Sequence, residues 1–208
     1  ELVDRRRPTQ TELTNYTRFK LTESGISPIS HPGMLGGNYL ASGIEHTELG
    51  RPTASGEMHA RMNEKRFRKF GPLKSRRDLF VIEGDPEAPI GLVSWGSVAG
   101  VAREALRLAR EEGLHAKLLV PRLLYPVAEQ VYQDFFASVK RGLFIEQSFQ
   151  GQLYRLVRMY VDFPALVKPL AKSGSNPIQP AEVLDRLHEM LAAIQGNNNH
   201  LQVEHNGD

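Results

Sequence analysis

At 208 residues the chain has room for one large or two small domains. Its formal net charge of +2 creates no global field that would argue for nucleic acid, and no apolar run approaches the roughly 20 residues a membrane-spanning helix needs. It has no cysteine, which excludes disulfides, a thiol nucleophile and thiolate ligation of an iron–sulfur cluster by this chain. It begins at Glu1 with neither an initiator Met nor a signal-like segment, which is read as a piece of a longer polypeptide.

Residues 1–74 are dense in glycine and proline, with Gly25, Gly33, Gly36, Gly37, Gly43 and Gly50 among Pro8, Pro28, Pro32 and Pro52. Such spacing predicts ordered but irregular loops without a core of their own. Residues 55–70 are the exception, since Met58, Met62 and Phe70 flank a charged stretch suited to a helix. That stretch opens a basic run through Arg61, Lys65, Arg66, Arg68, Lys69, Lys74, Arg76 and Arg77. Phosphate contacts would use such a run. However, Phe67 and Phe70 are too few and too close together to stack bases, so a solvated or subunit-paired face is preferred. His31, His46 and His59, with Glu45 and Glu48 beside His46, have no metal-ligand spacing and read as loop-bracing histidines.

From about residue 79 the pattern changes to strand, turn and helix. Residues 90–95 form a nearly continuous apolar run, as a strand covered on both faces requires. Ser97 is placed to cap a helix in which Val98, Val101, Ala102, Ala105, Leu108 and Ala109 share one face. Gly113 ends that helix, and residues 116–120 return as a second strand. Pro126 is expected as a first helical residue, with Val127, Val131, Phe135 and Val139 inward and Gly142 as the stop. A short strand follows at 143–146, Gly151 opens another helix, and residues 166–170 form a strand that Pro169 confines to an edge. Pro180 starts a last helix carrying Val183, Leu184, Leu187, Leu191 and Ile194. About four strands alternating with four helices predict a doubly wound, mostly parallel α/β domain over residues 79–195. Residues 196–208, with Asn197, Asn198, Asn199, His200 and His205, read as a flexible tail and not a site.

Catalytic motifs are scarce. The Gly96-Ser97-Val98-Ala99-Gly100 turn lies where backbone N–H groups can cradle a phosphate, but it lacks the dinucleotide pattern and is preferred as a structural turn. No G-x-S-x-G elbow is present. The residues alone lead to an α/β domain with a glycine-rich lead-in.

Three groups of residues go further. The first is Tyr16-Thr17-Arg18-Phe19-Lys20-Leu21-Thr22-Glu23-Ser24-Gly25-Ile26-Ser27-Pro28, with Pro32-Gly33 after it. The second is Gly43-Ile44-Glu45-His46-Thr47-Glu48-Leu49-Gly50, followed by a segment ending in Lys65-Arg66. The third is Ser94-Trp95-Gly96-Ser97 together with Glu146 through Gly151-Gln152-Leu153. In this order and spacing they resemble the C-terminal portion of the alpha subunit of 2-oxoacid:ferredoxin oxidoreductases, over nearly all of the chain except its ends. The second group is most like the 2-oxoglutarate branch. Ile29 stands where that family often has arginine, and Ser148 where it usually has asparagine.

The resemblance implies a thiamine diphosphate enzyme that oxidatively decarboxylates 2-oxoglutarate to succinyl-CoA and reduces ferredoxin, or runs the reverse carboxylation. Coenzyme A would be the co-substrate. A beta subunit would hold the diphosphate with Mg2+ and the [4Fe-4S] cluster, in a cytoplasmic dimer of alpha–beta pairs with no nucleic acid or membrane partner. The division would be residues 1–78 as the end of a pyrimidine-binding-type domain with its linker, then a transketolase C-terminal-like domain. The family's pyrimidine-contacting glutamate would lie upstream of Glu1, so no catalytic residue is assigned and this chain alone is expected to be inactive. Arg18 is the single candidate for binding a substrate carboxylate. The rivals are the beta chain of a lipoyl-linked 2-oxoacid dehydrogenase and a non-enzymatic interaction module with a basic face.

Overall fold

A computed structural model describes residues 4–164 and 166–204, with side chains through residue 196. The chain divides into two units, Glu1–Pro72 and Leu73–Asp208. Among the described residues no helix is long and apolar enough to cross a membrane.

The first unit holds two helices, α1 (Gln10–Thr14) and α2 (Gly56–Arg68), within irregular backbone. Helix α1 was not expected, although its cause is local. The Glu12 N–H donates to Thr9 Oγ1 at 3.2 Å and the Thr9 N–H to Glu12 Oε2 at 2.9 Å, a reciprocal capping box. Helix α2 bears out the expected helix at 55–70. Ser55 Oγ accepts from the Met58 N–H at 3.2 Å, and Glu57 near the start with Lys65, Arg66 and Arg68 at the end complements the helix dipole. Met62 and Lys65 face inward and are buried.

The second unit contains one five-stranded sheet, ordered β1-β3-β2-β4-β5: β1 (Phe80–Gly84), β2 (Ile90–Ser94), β3 (Ala116–Pro121), β4 (Arg141–Glu146) and β5 (Val167–Ala171). Pairings β2–β3, β2–β4 and β4–β5 are parallel, and β1 pairs antiparallel with β3. The antiparallel strand β1 escaped the sequence reading because Phe80-Val81-Ile82-Glu83 is short and closely follows the basic run. Helices α3 (Val98–Glu111), α4 (Glu129–Phe136), α5 (Gln152–Arg158) and α6 (Pro180–Glu204) complete the unit.

Both faces of the sheet are covered, which explains the unbroken apolar runs. Ile90, Leu92, Leu118, Leu143 and Ile145 pack with Ala102, Ala105 and Ala109 of α3 and Val183 and Leu187 of α6. The alternate residues Val93, Leu119 and Phe144 pack with Val131 and Phe135 of α4 and Leu153 and Val157 of α5. Pro169 lies in β5 at the sheet edge, where a missing N–H costs no ladder bond. Gly113, with φ of +76°, ends α3 in a Schellman arrangement: Leu114 N–H donates to Ala109 O at 2.8 Å and Gly113 N–H to Arg110 O at 3.1 Å.

Several local expectations are corrected. Ser97 precedes α3 in helical backbone, and its side chain makes no capping bond; a serine already in the αR region does not turn its hydroxyl onto the following N–H groups. Pro126 is not a first helical residue. It follows a cis Tyr125–Pro126 bond, and α4 begins only at Glu129. Gly142 does not stop a helix but lies inside β4 opposite Gly91 of β2. A Cβ on Gly142 would meet Gly91 O at 2.9 Å, and one on Gly91 would meet Val139 Cγ2 at 2.7 Å, so both glycines serve close packing. Helix α6 continues through the asparagine run to Glu204, since asparagine lowers helix propensity without forbidding it. His205 lies outside the described residues.

Candidate functional site

The first two sequence groups meet in the first unit. Phe19 N–H donates to Glu48 O at 2.9 Å and Leu21 N–H to Glu48 Oε1 at 2.6 Å, tying the 16–28 segment to the 43–50 segment. Glu45 faces α2 instead. Arg66 Nη2 donates to Glu45 Oε1 at 2.7 Å and Nη1 to Oε2 at 3.1 Å, while His59 Nδ1 lies 2.7 Å from Oε2. The Arg66 guanidinium first, then the His46 N–H and His59, hold the Glu45 carboxyl down at about 2, with burial opposing them. Helix α2 clasps the 16–28 segment directly as well: Lys65 Nζ donates to Phe19 O at 2.7 Å, and Arg68 Nη1 to Thr22 O at 2.9 Å. The segment passes so near α2 at Gly25, with φ of +75°, that a Cβ there would meet Lys65 O at 2.5 Å.

These contacts frame a cleft of about 340 Å³ whose lining includes Arg18, Ser27, His46, Lys65, Arg66 and Lys69. Four basic side chains line it and no carboxylate does. Arg66 is neutralised by Glu45, but Arg18 has no such partner. Its guanidinium carbon sits 4.9 Å from the Phe19 ring centre and 5.6 Å from that of Tyr39, and its Nε is buried without an acceptor. Lys65 is 7% exposed. Burial first, then the charge of Arg18, pushes its ammonium down to about 8, with Glu48 opposing.

Arg18 was the sequence's candidate, while Lys65 was seen in the basic run and at the end of the second group, and Lys69 in the basic run alone. Helical spacing of 65 and 69 on one side of α2 was the available signal. Among the described residues no group of three His, Asp or Glu side chains is placed to bind a metal. His59 braces Glu45, and His46 stacks on Phe19 with ring centres 4.0 Å apart. His31 Nδ1 lies 3.0 Å from Pro32 O.

The third sequence group converges in the second unit, at the C-terminal ends of neighbouring parallel strands, where Ser94 pairs in register with Ile145. Ser94 Oγ donates to Ile145 O at 2.9 Å. Glu146 is 1% exposed and accepts from the Leu153 N–H at 3.0 Å, the Tyr154 N–H at 3.1 Å and Ser148 Oγ at 2.9 Å. Ser148 Oγ in turn accepts from the Gln152 N–H at 3.2 Å. Two side chains therefore cap the first turn of α5, and Ser148 has a defined task at the position where asparagine was the expected residue. This motif builds the fold.

Comparison with known proteins agrees with these motifs. Residues 88–183 match the model of the pyruvate:ferredoxin oxidoreductase core domain II. The chain is 32% identical over 183 residues to subunit alpha of 2-oxoacid:ferredoxin oxidoreductase 2 from Aeropyrum pernix, covering 85% of this chain and 28% of that protein. It is 25% identical to the 2-oxoglutarate synthase subunit KorA of Methanothermobacter thermautotrophicus, over 90% of this chain and 50% of that one. Among solved structures, the 2-oxoglutarate:ferredoxin oxidoreductase of Magnetococcus marinus, described with 2-oxoglutarate, coenzyme A and succinyl-CoA bound, superposes with a TM-score of 0.79. It is 33% identical, covering 91% of this chain and 32% of the other. The chain thus spans between 28% and 50% of the length of these relatives. Residues 88–183 belong to the pyruvate:ferredoxin oxidoreductase core domain II family, and over most of its length the chain is a homologue of 2-oxoacid:ferredoxin oxidoreductase alpha subunits.

Proposed function

We propose that this chain is part of the alpha subunit of a thiamine diphosphate-dependent enzyme that oxidises 2-oxoglutarate with coenzyme A and passes the electrons to ferredoxin, or works in reverse. The observation that carries this proposal is the 33% identity, at a TM-score of 0.79, to the Magnetococcus marinus enzyme over 91% of the chain. A relative named ketoisovalerate oxidoreductase subunit VorB, 30% identical over 104 residues, marks the competing substrate class.

The proposal leaves the redox and thiamine chemistry to a partner. The chain has no cysteine, so no thiolate of its own ligates a cluster. Its described residues offer no three-ligand metal set. The proposal places thiamine diphosphate, Mg2+ and the [4Fe-4S] cluster chiefly on a beta subunit, in a dimer of alpha–beta pairs. This chain contributes the packed α/β unit and the cationic cleft of the first unit.

Purification of the full-length natural chain under anaerobic conditions tests the assembly. A co-purifying, brown, cluster-bearing subunit with bound thiamine diphosphate is expected. A lipoyl-bearing partner without iron would favour a 2-oxoacid dehydrogenase instead, and no partner at all would contradict the assembly.

A further inference from the structure

We propose that the cleft between residues 16–28 and helix α2 binds a small oxyanion, a carboxylate or a phosphate group, held by Arg18 and Lys65 with Lys69 at its edge. The site rests on the geometry of the first unit and stands whether or not the oxidoreductase proposal holds.

Three independent observations support it. The cleft of about 340 Å³ is lined by four cations and by no carboxylate. Arg18 has no hydrogen bond among the described residues, and its buried Nε lacks an acceptor. Leaving a buried charged donor unpaired is costly, and a structure tolerates it where a ligand completes the bond. Lys65, 7% exposed, uses its ammonium on a single acceptor, Phe19 O at 2.7 Å, leaving two of its three donors unassigned.

The geometry also suits the ligand. The guanidinium carbon lies 4.9 Å from the Phe19 ring centre and 5.6 Å from that of Tyr39, two rings set edge to face, and a planar guanidinium can pair with two oxygens of one anion. Ser27 lines the same cleft, but its hydroxyl donates to Lys20 O at 2.8 Å, so it serves as an acceptor for a protonated ligand or not at all. Glu45 does not compete, because Arg66 and His59 occupy its oxygens.

The test uses the full-length natural chain with its co-purified partner. Hydrogen exchange by mass spectrometry follows peptides covering residues 16–28 and 58–70 during titration with inorganic phosphate or with 2-oxoglutarate, chloride keeping ionic strength constant. Saturable protection of both peptides is expected, with the half-point rising about tenfold or more in Arg18→Gln. Arg18→Lys, which keeps the charge but loses the planar fork, is expected to fall between, and exposed Lys20→Gln to match the wild type. Protection by phosphate alone identifies a phosphate-bearing ligand, protection by 2-oxoglutarate alone identifies an organic acid, and both outcomes support the site. Absence of saturable protection with either anion, or equal half-points in wild type and Arg18→Gln, overturns it. Viologen reduction by the same preparation reports the oxidoreductase proposal separately, so either can fail alone.

Discussion

Glu45 and Arg66 form a two-point ion pair, 2.7 and 3.1 Å, that joins the Gly43–Gly50 segment to the last turns of α2. The two residues stand at opposite ends of the second sequence group, 21 positions apart. Arg66 also lines the cationic cleft, and the first prediction concerns this pair.

Glu45→Gln should destabilise the first unit by about 1–2 kcal/mol at neutral pH, because the guanidinium loses a charged, bidentate partner. The pH dependence has a definite sign. The Glu45 carboxyl is held at about 2 in the folded chain against an ordinary value of 4.5, so its stabilisation is complete above 4.5 and lost as pH falls toward 2. Thermal melts across that window should show a steeper acid loss in the wild type than in Glu45→Gln. Parallel acid curves would contradict the pairing.

Lys65 predicts the opposite end of the scale. Its folded value of about 8 lies below the ordinary 10.5, so the unfolded chain holds the proton more tightly and the contribution to stability rises between pH 8 and 10.5. Lys65→Met should flatten this rise, read as the difference between melts at the two ends of the window. In the same window, oxyanion binding should weaken as the Lys65 ammonium is lost, the groups facing it being Arg18, Arg66, Lys69 and Glu48.

Gly91→Ala tests the sheet. Its added Cβ would press on Val139 Cγ2 at 2.7 Å and Phe135 Cε1 at 3.0 Å, and relieving this overlap should cost about 1–3 kcal/mol in urea unfolding. An unchanged midpoint would mean that α4 packs less closely on β2 than described.

Glu146→Ala should cost about 3 kcal/mol, since it strands the Leu153 and Tyr154 N–H groups at the start of α5. Ser148→Ala should cost only about 1 kcal/mol, because it removes the cap on Gln152 while the glutamate stays in place. Equal losses in the two variants would contradict this ranking.

Much of the second unit was legible in the chain itself because its signals are local and repeated. Ile90, Leu92 and Val93 read as a doubly covered strand, and Gly113 read as a helix stop, since each property is set by a few neighbours. The failures have more than one cause. Gly142 looked like a helix terminator, but its reason for being glycine is Gly91 on another strand, 51 residues away in sequence. Pro126 lies before α4, which begins at Glu129, and Ser97 already has helical backbone, so neither residue plays the terminal role its type suggests. In the first unit, the Thr9-x-x-Glu12 box was readable and unread, whereas the cleft was not readable. Arg18 and Lys65 are far apart in sequence, and only the fold brings both to one wall without a carboxylate between them.

The central claim, that this chain belongs to a 2-oxoglutarate-oxidising complex, is tested most directly by anaerobic viologen reduction. The full-length natural chain with its co-purified partner would be supplied with coenzyme A and thiamine diphosphate, comparing 2-oxoglutarate with pyruvate and a branched 2-oxoacid. The account predicts reduction driven by 2-oxoglutarate above the other two. Absence of reduction with all three, despite an intact cluster-bearing partner, would contradict it.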